Sequence, residues 1–381
     1  MISRLSHIFS LLVVSVAIVT QAPPRQPAVT PLLAANSERL LVLHHEFLVP
    51  TPELPDAVNG RLVDFAVGSS GQIYSVDAAA RKIRMFDSAG RAVAASETPP
   101  TADGLGGQPR NVTVGRTGDV YVLERVADYL HVFSPNLATV HTVPIETVGL
   151  RIRRGIEFVD DRTVVVSGIS ALPPFLGYGL HRFTLVSEDN DTPTFRYRGS
   201  FAQLLERDPT IYGEIAGGYL NRDVDGGLLF NQIAPYSLRK YTPDGELVWH
   251  VEDLELIPEP TTFFKVSEQG RILVTYYPVS LTLLPLELGN YLHIFLRPPT
   301  KFIGTREPYP EGVHDDYLAE IISVKNGDIT RVRARLPVPL HYLSHDGQGR
   351  LIGVLGETSP QYVRSKTAQG TETGSRWPDK E

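Results

Sequence analysis

A gap-free internal match between two segments of this chain restricts its fold more than any other feature. Gly71-Gln-Ile-Tyr-Ser-Val-Asp77 through Phe86-Asp-Ser-Ala-Gly90 aligns residue for residue with Gly226-Gly-Leu-Leu-Phe230 through Tyr241-Thr-Pro-Asp-Gly245. A third copy, Gly118-Asp-Val-Tyr-Val-Leu-Glu124 through Phe133-Ser-Pro-Asn-Leu137, keeps the distance from leading glycine to closing aromatic. Weaker copies begin near Arg162, Gly270 and Gly349. A repeated unit of this length cannot bury its apolar faces alone, so its copies must stack, as in a solenoid or a propeller.

Each copy resolves into strand, glycine turn, strand, loop, strand, glycine turn, strand. In the first these are Leu62 to Val67, Ile73 to Val76, Lys82 to Phe86 and Ala92 to Ala95. Apolar residues stand on both faces of the inner strands, as in Val112, Val114, Val120, Tyr121, Val122 and Leu123, which suits sheets stacked face to face. The 30 prolines and 32 glycines, spread along all 381 residues, set a turn every few residues and leave no room for long helices. The expected class is therefore all-β.

Leading turns give six units, starting near residues 61, 109, 154, 217, 262 and 341. The last offers only His341 to Ser344, Arg350 to Leu355 and Gln361 to Arg364, while the strand-like Leu40 to Val49 belongs to no unit. The simplest completion is a six-bladed β-propeller over 38–365 whose last blade is closed by that N-terminal strand, removing the exposed edges of an open array. Three places break the spacing: Gly168 to Gly179 in the third unit, Ser200 to Gly217 after it, and an apolar insertion over 278–316 in blade five. On a closed ring such additions cover one end and shape a site. The long one reads as a lid or docking arm.

The N-terminus reads as an exported chain's signal peptide or uncleaved anchor over 1–22, with an apolar run from Ile8 to Val19, a Pro-rich linker at 23–37, and a polar, disordered tail at 366–381. The alternative for the apolar run is a first strand. Export implies a periplasmic or extracellular location, with membrane contact only through an uncleaved N-terminal segment. The chain has no cysteine, which removes disulfides, thiolate metal sites and a thiol nucleophile. A net charge of −7 without clustered Lys and Arg argues against nucleic acid as a partner.

The motif of a glycine turn, a Tyr-Val-type strand, an acidic residue and a strand ending in Phe-Asp-x-x-Gly resembles the NHL-type six-bladed β-propellers, and more distantly those of the gluconolactonase and strictosidine-synthase type. It is clear in units one, two and four and degenerate in three, where Val164-Val-Val166 replaces the aromatic strand. The resemblance implies fold more than activity, since members bind proteins, peptides or small molecules and a minority are enzymes.

If the innermost strands line a channel, the residue before the first large apolar of each unit is a candidate binding position. That gives Asp64, Asn111, Glu157, Tyr219, Phe263 and Tyr342, polar on one half and aromatic on the other. Such a mouth suits a peptide, protein or small molecule. The same residues would equally serve as ordinary strand positions satisfied by backbone or channel water. The expected function is an exported binding module without a cofactor. The alternative is a divalent-metal-dependent hydrolase of the lactonase type, in which Asp64, Asn111 and Glu157 hold Ca²⁺ as hard oxygen ligands. No Gly-x-Ser-x-Gly elbow is present, no histidine pair has a ligand spacing, and no catalytic residue is assigned. Asn111-Val-Thr113 and Asn190-Asp-Thr192 match the glycan acceptor pattern but are read as silent.

Overall fold

A computed structural model describes residues 10–17, 39–40, 42–49, 340–345 and 350–355, and all of 62–335 except 79, 100–108, 125–127, 139, 147, 171, 188–192, 205–216, 259–263, 267–271, 275–276, 288, 306, 308, 311–312 and 314. Among the described residues there is no α-helix, only a 3-10 turn at Thr300–Phe302. None is long and apolar enough to cross a membrane.

The chain begins with β1 (Ser10–Ala17), β2 (Arg39–Leu40) and β3 (Val42–Val49). Antiparallel sheets follow in sequence order. The first is β4 (Leu62–Val67), β5 (Ile73–Asp77), β6 (Lys82–Phe86) and β7 (Ala92–Glu97). The second is β8 (Pro109–Val114), β9 (Val120–Glu124), β10 (Tyr129–Phe133) and β11 (Val140–Pro144). The third is β12 (Leu150–Phe158), β13 (Thr163–Ser170), β14 (Tyr178–Val186) and β15 (Thr194–Gln203). The fourth is β16 (Gly218–Arg222), β17 (Leu228–Gln232), β18 (Ser237–Tyr241) and β19 (Leu247–Glu252).

The hairpin β20 (Phe264–Val266) and β21 (Ile272–Val274) stands as a sheet of its own. The next full sheet is β22 (Val279–Glu287), β23 (Asn290–Arg297), β24 (Asp316–Lys325) and β25 (Asp328–Arg335), with β2 added parallel to β25. The chain's last strands, β26 (Leu340–His345) and β27 (Arg350–Leu355), form a sheet with the N-terminal strands in the order β26-β27-β1-β3.

These pairings revise two readings of the sequence. Residues 279–297 are not an insertion: they are the two innermost strands of their sheet, and their apolar excess is what a strand packed on both faces requires. The hairpin that carries Gly270's copy of the repeat lies apart from that sheet. Ser10–Ala17, inside the segment expected to direct export, occupies the third position of the last sheet, between β27 and β3. Gln361 to Arg364, expected in that position, lie outside the described residues.

The first strands of successive sheets pack side by side in cyclic order: β4 against β8, β8 against β12, β12 against β16, β16 against β22, β22 against β26, and β26 back against β4. This is a β-propeller arrangement, and the core is accordingly a series of layers between neighbouring sheets. Ala66, Tyr74, Val76 and Ile83 of the first sheet meet Val112, Val120, Val122 and Phe133 of the second. Val164 and Val166 face the second sheet while Val165, between them, faces the fourth. Leu228 and Leu229 split in the same way between the third and fifth. The strand's period of two thus sends successive side chains into two different layers, which is why both faces had to be apolar.

The acidic residue of the repeat has a structural role. Asp77 ends β5 and pairs with Arg84 of β6 at 3.1 Å, both buried. Glu124 and His131 hold the equivalent places in the second sheet at 2.8 Å. Gln232 and Arg239 are their counterparts in the fourth by the gap-free alignment, where the loss of the charge on the first position leaves Arg239 to donate to the carbonyl of Gln203.

Candidate functional site

Antiparallel order assigns each connection to one end of the propeller. Turns from first to second strand and from third to fourth lie at one end, and several are tight, as at Gly68–Gln72, Gly115–Asp119, Asp87–Arg91 and Thr242–Glu246. Connections from second to third strand, and from sheet to sheet, lie at the other. Residues 98–108, 171–177, 204–217, 253–278 and 298–315 all belong to this second set. Five long connections therefore share one end, where loops on a rigid scaffold ordinarily build binding sites, while the links from β1 to β3 and from β14 to β15 join third to fourth strands.

The turn at the end of each innermost strand supplies a common register. The hydrogen bonds Gly68 N to Gln72 O, Gly115 N to Asp119 O, Val159 N to Thr163 O and Asp223 N to Gly227 O are equivalent, at 2.8–3.0 Å. Counting back the same number of residues from each anchor puts Asp64, Asn111, Gly155 and Tyr219 at one level and Ala66, Thr113, Glu157 and Asn221 at the next. Glu157 thus shares a face with Asp64 and Asn111 but lies one step nearer the tight-turn end. The sequence reading took Phe158 as the first large apolar of its unit, whereas the strand register is continuous from Gly155 to Phe158 and puts Gly155 at the level of Asp64. Gly155 is closely approached by the fourth sheet: a Cβ there would lie 3.0 Å from Leu220 Cβ and 3.1 Å from its backbone nitrogen.

Asp64 and Asn111 are in direct contact. Asn111 Nδ2 donates to Asp64 Oδ2 at 3.1 Å, the backbone N–H of Val112 donates to the same oxygen at 3.0 Å, and that of Phe65 donates to Oδ1 at 2.9 Å. Val112 lies on the open edge of β8, so the carboxylate satisfies a donor that no strand pairs with. Burial raises the Asp64 carboxyl to about 6, against the lowering effect of these donors and of Arg110. Thr113 Oγ1 donates to Glu157 Oε2 at 3.4 Å. Burial pushes Glu157 up to about 8, with Asp64 adding to the rise and Arg222 opposing it. Asn111 is 6% exposed, and its Oδ1 is buried without a hydrogen-bond partner among the described residues. So buried an asparagine is also no acceptor for a glycan. Asn190 lies outside the described residues.

Tyr219 is level with Asp64 and Asn111, one step nearer the looped end than Glu157. Arg154 Nη1 reaches its hydroxyl at 3.5 Å, and the guanidinium carbon sits 5.7 Å from the ring centroid. Asn221, one step further along, donates to Thr282 Oγ1 and the Leu283 carbonyl of β22. Phe263 lies outside the described residues, and Tyr342 is placed by its backbone alone, in β26 at an irregularity between His341 and Leu343. Arg154, Thr113 and Arg222 had no sequence signal, because their relevance depends on strands from different repeats.

A fit test for a divalent cation gives a negative result for Asp64, Asn111 and Glu157 as they stand. Both Asp64 oxygens already accept N–H donors, Asn111 turns its nitrogen rather than its oxygen toward that carboxylate, and Glu157 is one level away. A cation needs free oxygens converging on one point. Elsewhere, Ser280 Oγ lies 2.8 Å from His293 Nε2, whose Nδ1 lies 3.7 Å from Glu320 Oε2. The spacing is that of a nucleophile, a base and an orienting carboxylate, but Ser280 and His293 are 0% exposed and Asn231 also donates to Ser280 Oγ at 2.8 Å. No substrate can reach that hydroxyl. The group is a buried network joining the fourth and fifth sheets, completed by Tyr236 and Arg331 on Glu320.

No protein-family model matches the chain, and no curated protein matches it. Solved structures of β-propeller-like proteins are similar to it. A streptogramin B lyase is 13% identical, with 78% of this chain and 93% of that one covered and a TM-score of 0.42. A chain of a nidogen/laminin complex is 10% identical, with 91% and 98% covered and a TM-score of 0.43. A gluconolactonase from Xanthomonas campestris is 15% identical, with 61% and 68% covered and a TM-score of 0.37. No role of a residue is transferred from any of them.

Proposed function

We propose that this chain is an exported binding module: a propeller of six blades, the last completed by Val42–Val49, of the same general kind as NHL-type propellers. Its looped end recognises a peptide, protein or small molecule around the axis. The observation that supports this reading is the set of five long connections that share the end toward which Arg154 and Tyr219 lie. A hydrolase would need reactive groups with open valences at that place. The carboxylate of Asp64 is instead committed to holding two sheets together, which favours recognition over chemistry.

The test is a thermal-shift screen of peptides, sugars and lactones against the wild type, Tyr219→Ala and Arg154→Ala. Ligands at the looped end should raise the wild-type Tm and lose that effect in both variants. Retention of every hit by both variants would overturn the assignment of the site. Tight Ca²⁺ binding by calorimetry, abolished in Glu157→Gln, would instead move the reading to a metal-dependent hydrolase.

A further inference from the structure

The wall of the propeller's axis is polar and touched by solvent at two successive levels. Along the innermost strands Asp64, Glu157, Tyr219 and Asn221 are half-buried, while their strand neighbours Phe65, Ile156, Phe158 and Leu220 are buried. The period of two thus turns the first set toward the axis and the second into the layers between sheets.

Glu157 is poorly satisfied in that setting. It accepts one hydrogen bond among the described residues, from Thr113 Oγ1 to Oε2 at 3.4 Å, and its Oε1 accepts none. On the same face of β12 the next residue toward the looped end is Gly155, which carries no side chain to cover the carboxyl. The charged groups acting on it are Arg222 from the fourth sheet, which favours ionisation, and Asp64 from the first, which disfavours it. Burial is the largest influence, and the carboxyl stands at about 8.

Asn111 supplies a second, independent acceptor. It is 6% exposed and lies on the same face, one level nearer the looped end. Its amide nitrogen is turned to Asp64, so its oxygen is turned away from that carboxylate, and this oxygen is buried with no donor among the described residues. A buried acceptor without a donor is costly, and so is a buried carboxylate without a counterion. Two residues of strand span about 7 Å, roughly twice the reach of one hydrogen bond, so a single compact donor between the levels can serve both groups.

We propose that the axis holds a primary ammonium group of the ligand between Glu157 and Asn111, so that the molecule recognised at the looped end carries a slender basic chain. The inference rests on the looped-end reading given above and narrows its ligand class. An ammonium offers three N–H donors and one positive charge, which a carboxylate and an amide oxygen can satisfy. Calcium demands a shell of about 6–8 oxygens, which the committed oxygens of Asp64 do not supply. The ligand's charge also offsets the repulsion between Glu157 and Asp64. Glu157 gives up its proton as the ammonium arrives, so affinity should rise about tenfold per pH unit as pH approaches about 8 from below.

The test is calorimetric titration of the wild type, Glu157→Gln and Tyr219→Ala with two probes: the end-blocked peptide Ala-Lys-Ala and cadaverine. The same peptide with norleucine in place of lysine is the uncharged control. Binding of either probe, strengthening toward pH 8 and weakened about tenfold or more in Glu157→Gln, supports the inference. Preference for the peptide makes the source a lysine side chain, and preference for cadaverine makes it a free alkylamine. Absence of Glu157-dependent binding by both probes, or equal binding of the norleucine control, overturns the ammonium, and Tyr219-dependent binding of any other ligand then leaves the looped-end reading standing. Glu157-dependent binding that Tyr219→Ala leaves intact supports the ammonium and overturns the looped end as its entrance. Should Glu157→Gln fail to fold, the wild-type pH profile decides, and an affinity that stays flat up to pH 8 overturns the inference.

Discussion

The carboxylate of Asp64 on the first sheet accepts the backbone N–H of Val112 on the second at 3.0 Å, across the seam where their innermost strands meet. The same oxygen holds the side-chain amide of Asn111. A position expected to face a ligand is thus a fastening between neighbouring sheets.

Asp64→Ala should therefore destabilise the protein. It leaves the Val112 N–H and the Asn111 amide without acceptors, and a buried unpaired group costs about 1–3 kcal/mol. A loss of about 2 kcal/mol or more should appear as a lower urea midpoint, with Asp64→Asn less affected because it keeps one acceptor. An unchanged midpoint in Asp64→Ala would show that this contact does not fasten the seam.

The pH dependence of stability should carry the signature of Glu157. Its carboxyl is raised from 4.5 to about 8 by burial, so the folded state keeps a proton that the unfolded chain releases. The stabilisation is fully present below 4.5 and is lost as pH rises through about 8. Asp64 contributes in the same direction over a lower window, from 3.8 to about 6. Tm measured across this range should fall with pH in the wild type and fall less in Glu157→Gln. Parallel curves would mean that Glu157 is not buried in the way described.

Glu320 should act with the opposite sign. Burial alone would raise its carboxyl, but His293, Tyr236 and Arg331 outweigh that and bring it to about 2. Its contribution is present above 4.5 and is lost as pH falls through about 2. Glu320→Gln breaks a buried charged network and should cost about 3–5 kcal/mol at neutral pH. Equilibrium unfolding of the two proteins should converge on acidification, and a gap that persists at the acid end would remove the ionised carboxylate as its cause.

Gly155→Ala should open the seam between the third and fourth sheets. The added methyl meets Leu220 Cβ at 3.0 Å and its backbone at 3.1 and 3.2 Å, and backbone cannot rotate away as a side chain can. Overpacking of this kind costs about 1–3 kcal/mol. Guanidinium unfolding is the measurement, and wild-type stability in the variant would place β12 and β16 further apart than described.

Much of the architecture was legible in one dimension. The repeat located the strands of the first sheet within about two residues and marked the turns of the second and fourth, because those turns are set by glycines with positive φ at Gly71, Gly90, Gly118, Gly226 and Gly245. The acidic residue of the repeat was equally visible, though not its function of holding a basic side chain on the next strand. The fifth sheet was misread because a continuous apolar run has no period to mark it: Val279–Glu287 and Asn290–Arg297 resemble an adhesive loop as closely as they resemble fully covered strands.

What the amino-acid order determined by itself is local: where strands begin and turn, and that both faces of each strand must be covered. Which strand lies beside which was decided only in three dimensions. Glu157 stands level with Thr113 rather than with Asp64 because each innermost strand is registered by its own turn, and Ser10–Ala17 pairs with β27, at the far end of the chain. Hydrogen-bond ladders and inter-sheet layers are satisfied by any strand of suitable length and polarity, so the choice among partners is made by the assembled whole.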